Sequence, residues 1–268
     1  MNPKESVEEF WDSSCCGEAL YLQEPDKTGF ISQAKSRYEL EGSMIFPFAR
    51  FDQSRGQLVL EIGVGLGADH QQFAQAGAKL FGIDLTARAI EHTRKRMEIF
   101  GLDSSLQVGD AENLPFDDES FDVVYSWGVL HHSPNTGEAV KEVFRVLRVG
   151  GVARIMIYHK WSFVGFMLWV RYGLLAGRFF RNLDDLYSKH LESPGTKAYS
   201  RSEALGLFED FTYAEISTPL THGDLLDSPV GQRHRGLLLE VANWIWPRWL
   251  IKKLFPQSGL FMMVTAYK

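Results

Sequence analysis

Leu58-Val59-Leu60-Glu61-Ile62-Gly63-Val64-Gly65-Leu66-Gly67 is the stretch that decides the fold. Its first half is a short apolar run with branched residues, the composition of a strand buried on both faces of a parallel sheet. Gly63, Gly65 and Gly67 then let the chain turn sharply and let a ligand approach bare backbone. Asp69-His70-Gln71-Gln72-Phe73-Ala74 begins the next helix, and Gly77 stops it. A helix N-terminus beside a glycine loop points unpaired N–H groups at a ligand.

The same alternation continues downstream. Ala78–Asp84 reads as a second strand that ends in an acid, followed by Leu85 and by Thr86, which can cap a helix running through Phe100 to Gly101. Leu106–Glu112 is a third strand with its exit, and Phe121–Gly128 a fourth. Asn135 with Glu138 has the form of a capping box before a helix that Gly150-Gly151 ends, and Val152–Tyr158 is a fifth strand. Strands alternating with helices argue for a doubly wound α/β parallel sheet.

Such sheets bind ligands outside the carboxyl ends of their strands, where the strand order reverses. The residues expected there follow from that rule. Asp84 lies 21 positions after Gly63 (84 − 63), where an acid accepts hydrogen bonds from ribose hydroxyls. Asp110 is placed to accept an adenine amino group, with the backbone of Ala111 against the ring and Asn113–Phe116 closing over the base. Glu112 is either part of that site or a solvated loop acid. Ser126, Trp127, His131 and His132 face the same crevice. The histidines are the candidates for contacting a second substrate, as base or as hydrogen-bond partner.

The outer parts of the chain are less regular. Residues 1–57 form an N-terminal flap, with a short helix at Val7–Trp11 and turns at Cys16–Glu18 and Glu24–Asp26. Leu40, Met44, Phe48 and Phe51 make a helical stripe that Pro47 should break or kink. The flap carries Tyr21, Arg37 and Tyr38, and covers a sheet edge, the ligand, or both. Residues 58–160 are the binding core, 161–255 a cap or insertion, and 256–268 the end strand, all in one domain. The cap contains two aromatic, apolar segments, 161–180 and 237–255, interspersed with Arg and Lys. Phe211–Ser217 and Gly259–Tyr267 read as further strands.

Composition narrows the partners. The chain has 268 residues, a net charge of −6 and a pI near 5.8, so it shows no overall electrostatic footprint for nucleic acid. Cys15 and Cys16 are the only cysteines and are adjacent, which gives neither a cross-link framework nor a zinc-ligand spacing. With no signal-peptide pattern at the N-terminus and no apolar run of the roughly 18–20 residues a spanning helix needs, a cytoplasmic location is expected.

Two cofactors use a strand, glycine loop and helix of this kind. Gly63-x-Gly65-x-x-Ala68 fits the dinucleotide fingerprint. Glu61-x-Gly63-x-Gly65-x-Gly67 resembles the loop that holds S-adenosylmethionine (SAM) in class I methyltransferases. Glu61 favours the second, since a carboxylate suits an ammonium and a sulfonium and would repel a pyrophosphate. Five ordered features together resemble the methyltransferase type 11 group: that loop, Asp84, Asp110-Ala111-Glu112-x-Leu114-Pro115-Phe116, Phe121-Asp122 through His131-His132, and Leu147–Gly151. The resemblance covers about residues 55–160. It implies a seven-stranded Rossmann-like sheet of order 3-2-1-4-5-7-6 with strand 7 antiparallel, and methyl transfer from SAM with S-adenosylhomocysteine (SAH) as product. The acceptor expected is O, N or C of a small, largely apolar metabolite. The competing readings are a non-catalytic SAM or nucleotide module, an NAD-dependent oxidoreductase, and methylation of a protein or RNA. Peripheral membrane contact is a further expectation from the Arg- and Lys-flanked aromatics. The oligomeric state is not legible.

Overall fold

The computed structural model describes residues 2–227 and 246–268. Seven strands form one sheet: β1 (Leu58–Ile62), β2 (Lys79–Asp84), β3 (Ser105–Val108), β4 (Phe121–Trp127), β5 (Leu147–Tyr158), β6 (Tyr213–Ser217) and β7 (Phe261–Tyr267). Their order is β3-β2-β1-β4-β5-β7-β6. β1 pairs in parallel with β2 and β4, β2 with β3, and β4 with β5; β7 is antiparallel to β5 and β6. The expected order and the antiparallel β7 are both present. The order reverses between β1 and β4, so the crevice opens beyond Ile62 and Trp127.

The α-helices are α1 (Pro3–Ser13), α2 (Glu18–Tyr21), α3 (Lys27–Ala49), α4 (Ala68–Gln75), α5 (Ala87–Phe100), α6 (Thr136–Val146), α7 (Phe163–Trp169), α8 (Leu183–His190), α9 (Arg201–Leu207), α10 (His222–Leu225) and α11 (Arg248–Leu254). Alternate strand residues face opposite layers. Val59, Leu80, Val123 and Tyr125 pack on Ile45 and Ala49 of α3, Phe73 of α4 and Met97 of α5. Leu60, Ile62, Ile83 and Val124 pack on Val140 and Val143 of α6 and Ala204 of α9. No described helix is long and apolar enough to cross a membrane.

Several local expectations need correction. Pro47 does not break its helix: α3 runs on to Ala49 and ends at Arg50, whose φ is +52°. Pro47 forgoes the N–H bond to Ser43 O near the helix end, and buried Ile45, Ala49 and Phe51 hold that turn on the sheet. The first helix is longer than Val7–Trp11, because Asn2 and Glu5 form a capping box ahead of it. Asn135 caps α6 through Glu138 N, but the Glu138 carboxylate pairs with Lys141 instead of closing a box. α6 ends at Val146, and Gly150-Gly151 lies inside β5. The third strand stops at Val108, and Asp110 then bridges Asn113 in a tight turn. Within the segment 237–255, residues 237–245 lie outside the described residues.

Candidate active site

A cavity of about 1120 Å³ opens at the carboxyl ends of β1 and β4. Of the residues expected there, Glu61, Gly63, Gly65, Gly67, Asp84, Leu85, Asp110, Ala111, Trp127, Arg37 and His132 line it. Tyr38, Glu112, Ser126 and His131 are not among its lining residues. Ser126 lies beneath the floor, where its hydroxyl donates to Ile62 O at 3.0 Å. Tyr38 turns away to Asp69, and Glu112 faces Lys4 and Asn135 N.

The glycine loop is shaped for a ligand at one position. Gly63, Gly65 and Gly67 all have positive φ (+81°, +51°, +73°), the region that disfavours other residues. A Cβ on Gly63 would lie 2.2 Å from Val129 Cγ2, and one on Gly67 would lie 2.8 Å from Thr93 Oγ1. Those two glycines are required for packing. A Cβ on Gly65 meets nothing within 4 Å and would point into open space. Its N–H donates to Asp84 Oδ2 at 3.1 Å.

Asp84 at the end of β2 organises the turn beyond it. Its Oδ1 accepts from Thr86 N and Thr86 Oγ1, both at 3.0 Å, and burial pushes its pKa up. Two carboxylate oxygens offer about four acceptor sites, and Gly65 N, Leu85 N, Thr86 N and Thr86 Oγ1 already point at them, so a ribose hydroxyl would share an oxygen with one of these donors. Replacing Asp84 by Ala removes a charged acceptor and frees the loop at Gly65. We expect SAM affinity to fall about ten- to a hundred-fold, with a cooperative melt retained; unchanged affinity in a calorimetric titration would remove Asp84 from the site.

Glu61 and His70 are buried together. Glu61 Oε2 lies 2.8 Å from His70 Nδ1, and His70 Nε2 lies 2.6 Å from Ser104 Oγ. Ser104 donates its own hydrogen to Leu80 O, so its oxygen accepts from His70 Nε2–H. Nδ1 is then the acceptor, and Glu61 holds the proton between them. Burial agrees, raising the Glu61 pKa well above the usual carboxylate range and lowering His70 to about 3. Asp69 and Asp84 add to that rise while Arg37 pulls the other way, so Glu61 is held toward the neutral carboxyl and away from the carboxylate the sequence suggested.

Residues the sequence reading missed hold the flap closed. Asp69, in the first turn of α4, accepts from Arg37 Nη2 (2.7 Å), Tyr38 Oη (2.9 Å) and Tyr125 Oη (2.8 Å). It thus joins α3 to β4 across the loop. Glu41 accepts from Trp127 Nε1 at 3.2 Å and pairs with Arg37. Fully buried Arg96 donates to Phe30 O, Gln33 Oε1, Gln71 Oε1 and Leu66 O, and so ties α3 and α5 to the loop backbone. From α1, Lys4 reaches both Asp110 and Glu112, and Val7, Phe10 and Trp11 line the cavity. Beyond the loop the wall becomes apolar, with Val164, Phe166, Met167 and Leu168 from α7 and Leu191, Leu260 and Phe261 around them.

His131 and His132 separate sharply. His131 is fully buried against the Tyr158 ring at 3.9 Å, and burial pushes its pKa well below the ordinary histidine value. His132 reaches the cavity. The open space over Gly65, with the Asp84 and Asp110 carboxylates beside it, fits a nucleoside.

A family model described as a methyltransferase domain matches residues 60–155. The phthiotriol/phenolphthiotriol dimycocerosates methyltransferase of Mycobacterium tuberculosis is 45% identical over 98 residues, 36% of each chain. The sterol 4-C-methyltransferase strm-1 of Caenorhabditis elegans is 33% identical over 94 residues, 34% of this chain and 28% of that protein. The match thus spans about a third of these relatives' length. Phosphoethanolamine N-methyltransferase 2 of Haemonchus contortus, solved with phosphomonomethylethanolamine and SAH, shares the fold. Its TM-score is 0.59 at 17% identity, over 98% of this chain and 60% of that one. Residues 60–155 thus carry a methyltransferase domain of the type 11 group, seated on the sheet order described above.

Proposed function

We propose that the protein transfers a methyl group from SAM to a small, largely apolar acceptor. The observation that carries the reading is a single cavity with the glycine loop and acids at one end and the α7 wall at the other. Its volume of about 1120 Å³ exceeds the ~300–1,000 Å³ usual for one ligand. That leaves room for cofactor and acceptor side by side.

Bound SAM supplies an already activated methyl on its sulfonium. The chain's part is alignment and exclusion of water. The Gly65 backbone and Asp84 fix the ribose end, and Asp110 with Lys4 flanks the base. α1 and α3 lie over the loop as a lid fastened by Arg37, Glu41 and Lys4. Phe166, Met167 and Leu168 then hold an apolar acceptor by burial. The phthiotriol/phenolphthiotriol dimycocerosates methyltransferase and the sterol 4-C-methyltransferase support this class. The net charge of −6 speaks against RNA.

Peripheral membrane contact belongs to the same proposal. Trp161, Phe180 and Trp249 are exposed, Lys253 lies over the Trp249 ring, and exposed Phe166 and Leu175 also line the cavity. An acceptor dissolved in lipid would therefore meet the cavity at its mouth.

Calorimetry with SAM, SAH and NAD tests the cofactor, and transfer of labelled methyl from SAM into a total lipid extract tests the acceptor class. SAM and SAH should bind and NAD should not, with label in the organic phase. NAD binding without SAM, or label confined to protein or RNA, would overturn the proposal.

A further inference from the structure

Among the described residues, three Lys or Arg side chains line the cavity, and two of them are taken. Lys4 pairs with Asp110 and Glu112, and Arg37 pairs with Asp69 and Glu41. Arg171 is the third. No carboxylate or carbonyl of the described residues accepts from it. Its Cζ lies over the Tyr172 ring, 5.5 Å from the centroid, and Tyr172 in turn stacks on His190 at 3.8 Å. A guanidinium resting on a ring face keeps its in-plane N–H donors for another acceptor.

Arg171 stands where the apolar wall meets the mouth. Val164, Leu168 and Arg171 recur at spacings of four and three, which puts Arg171 on the side of α7 that forms the wall. There the helix opens into a π turn, Val170–Leu174, closed by Leu175 N donating to Val170 O at 2.9 Å. Such turns gather at functional positions. Phe166 and Leu175, on either side of Arg171 in the chain, are 50% and 60% exposed and also line the cavity. Residues 161–183 carry three arginines and no acid, in a chain of net charge −6. His222 of α10 lines the cavity beside this wall, since Asp224 of the same short helix accepts from Val164 N at 3.2 Å. His222 Nδ1 is buried without a hydrogen-bond partner, and a polar group bound at the wall would satisfy it. The cap-borne acid of the cavity, Glu192, has partners of its own: it accepts from Tyr158 Oη at 2.8 Å and lies 3.3 Å from His132 Nε2.

Resting on the methyltransferase reading, we propose that the acceptor is an anionic amphiphile: an apolar chain that lies along α7, with a carboxylate or phosphate head that Arg171 holds. Arg171 determines specificity and takes no part in the transfer itself. The planar fork of a guanidinium matches a head that offers two oxygens. Asp84 and Asp110 at the loop end repel the same head, so the charge distribution of the cavity fixes which end of the chain enters first. An uncharged chain buries as much apolar surface but leaves the guanidinium without a counter-charge. The head is an anchor, not the methylated group, and so it survives in the product.

The test uses the full chain saturated with SAH and titrated calorimetrically with decanoate, decyl phosphate and decanol, each below its micelle concentration. Both anions should bind about ten- to a hundred-fold more tightly than the alcohol. Arg171→Gln should remove that preference while leaving SAH affinity, decanol affinity and the melting temperature in place. Arg171→Lys should keep part of the preference, since it keeps the charge and loses the fork. Equal binding of the three probes, or an anion preference that survives in Arg171→Gln, would overturn the proposal even with SAH bound. Failure of the unmodified chain to bind SAH would instead sink the methyltransferase reading. In a lipid extract labelled from SAM, the methyl should appear in acidic lipids retained on an anion exchanger. Thin-layer separation of that fraction then tells a free carboxylic acid from a phosphate-bearing lipid. Label only in lipids that the exchanger does not retain also overturns the proposal.

Discussion

Gly65→Val abolishes SAM binding and leaves the fold standing. The expectation comes from the contrast among three neighbouring glycines. At Gly63 and Gly67 an added Cβ strikes Val129 and Thr93, so substitution there damages packing before it touches any ligand. At Gly65 an added Cβ strikes nothing, and the valine branches stand in the open space proposed for the cofactor. The backbone at φ +51° adds strain of about 1–2 kcal/mol, which a domain of ordinary stability survives. The affinity loss should exceed about a hundred-fold, or roughly 2.7 kcal/mol. Calorimetry beside a thermal melt separates the two effects. Normal SAM binding by a folded Gly65→Val protein would mean that the loop is not the cradle.

Asp69→Ala should give the largest loss of stability. The Asp69 carboxylate is 3% exposed and accepts from one guanidinium and two phenols. Removing it leaves Tyr125 Oη in the core with no acceptor at that position and strips Arg37 of its main partner. A broken buried pair costs about 3–5 kcal/mol, but the Arg37 side chain keeps 24% exposure and Glu41 nearby. The lower end, about 3 kcal/mol, is therefore expected, a fall in Tm of roughly 6–12 °C. Asp69→Asn should lose less, since its amide oxygen still accepts from one phenol. Urea unfolding reads both; a loss below about 1 kcal/mol in Asp69→Ala would show that α3 is held by apolar packing alone.

These two residues show where the sequence was informative and where it was silent. The loop at 63–67 announces itself because glycine spacing and a preceding apolar run are local signals. The five leading strands and their alternation were visible for the same reason, while the full seven-strand order rested on resemblance. Asp69 had a local signal only of the weak kind: an acid in the first turn of a helix beside a ligand loop reads as a complement to the helix dipole. Its partners Arg37, Tyr38 and Tyr125 lie 32, 31 and 56 positions away. Arg96 and its Gln33 acceptor are 63 apart, and Glu192 lies some 60 residues beyond His132 (192 − 132). No periodicity encodes such pairings. Nor could the sequence choose between His131 and His132, because adjacent residues in a tight turn point in different directions and only the packing of Tyr158 decides which is sealed. Pro47 was misjudged because propensity was read without the core residues around it.

The proton shared between Glu61 and His70 gives the cavity a chemical memory of charge. Glu61 stays neutral because burial disfavours its anion. A ligand that brings positive charge beside it reverses that balance, and the pair must then give up a proton to solvent. With the sulfonium beside Glu61, binding would be linked to proton release and its affinity would climb as pH rises. SAH keeps the ammonium but has lost the sulfonium charge, so it draws less of that release. The expected consequence is that SAM affinity rises with pH more steeply than SAH affinity, which calorimetry over a pH series checks.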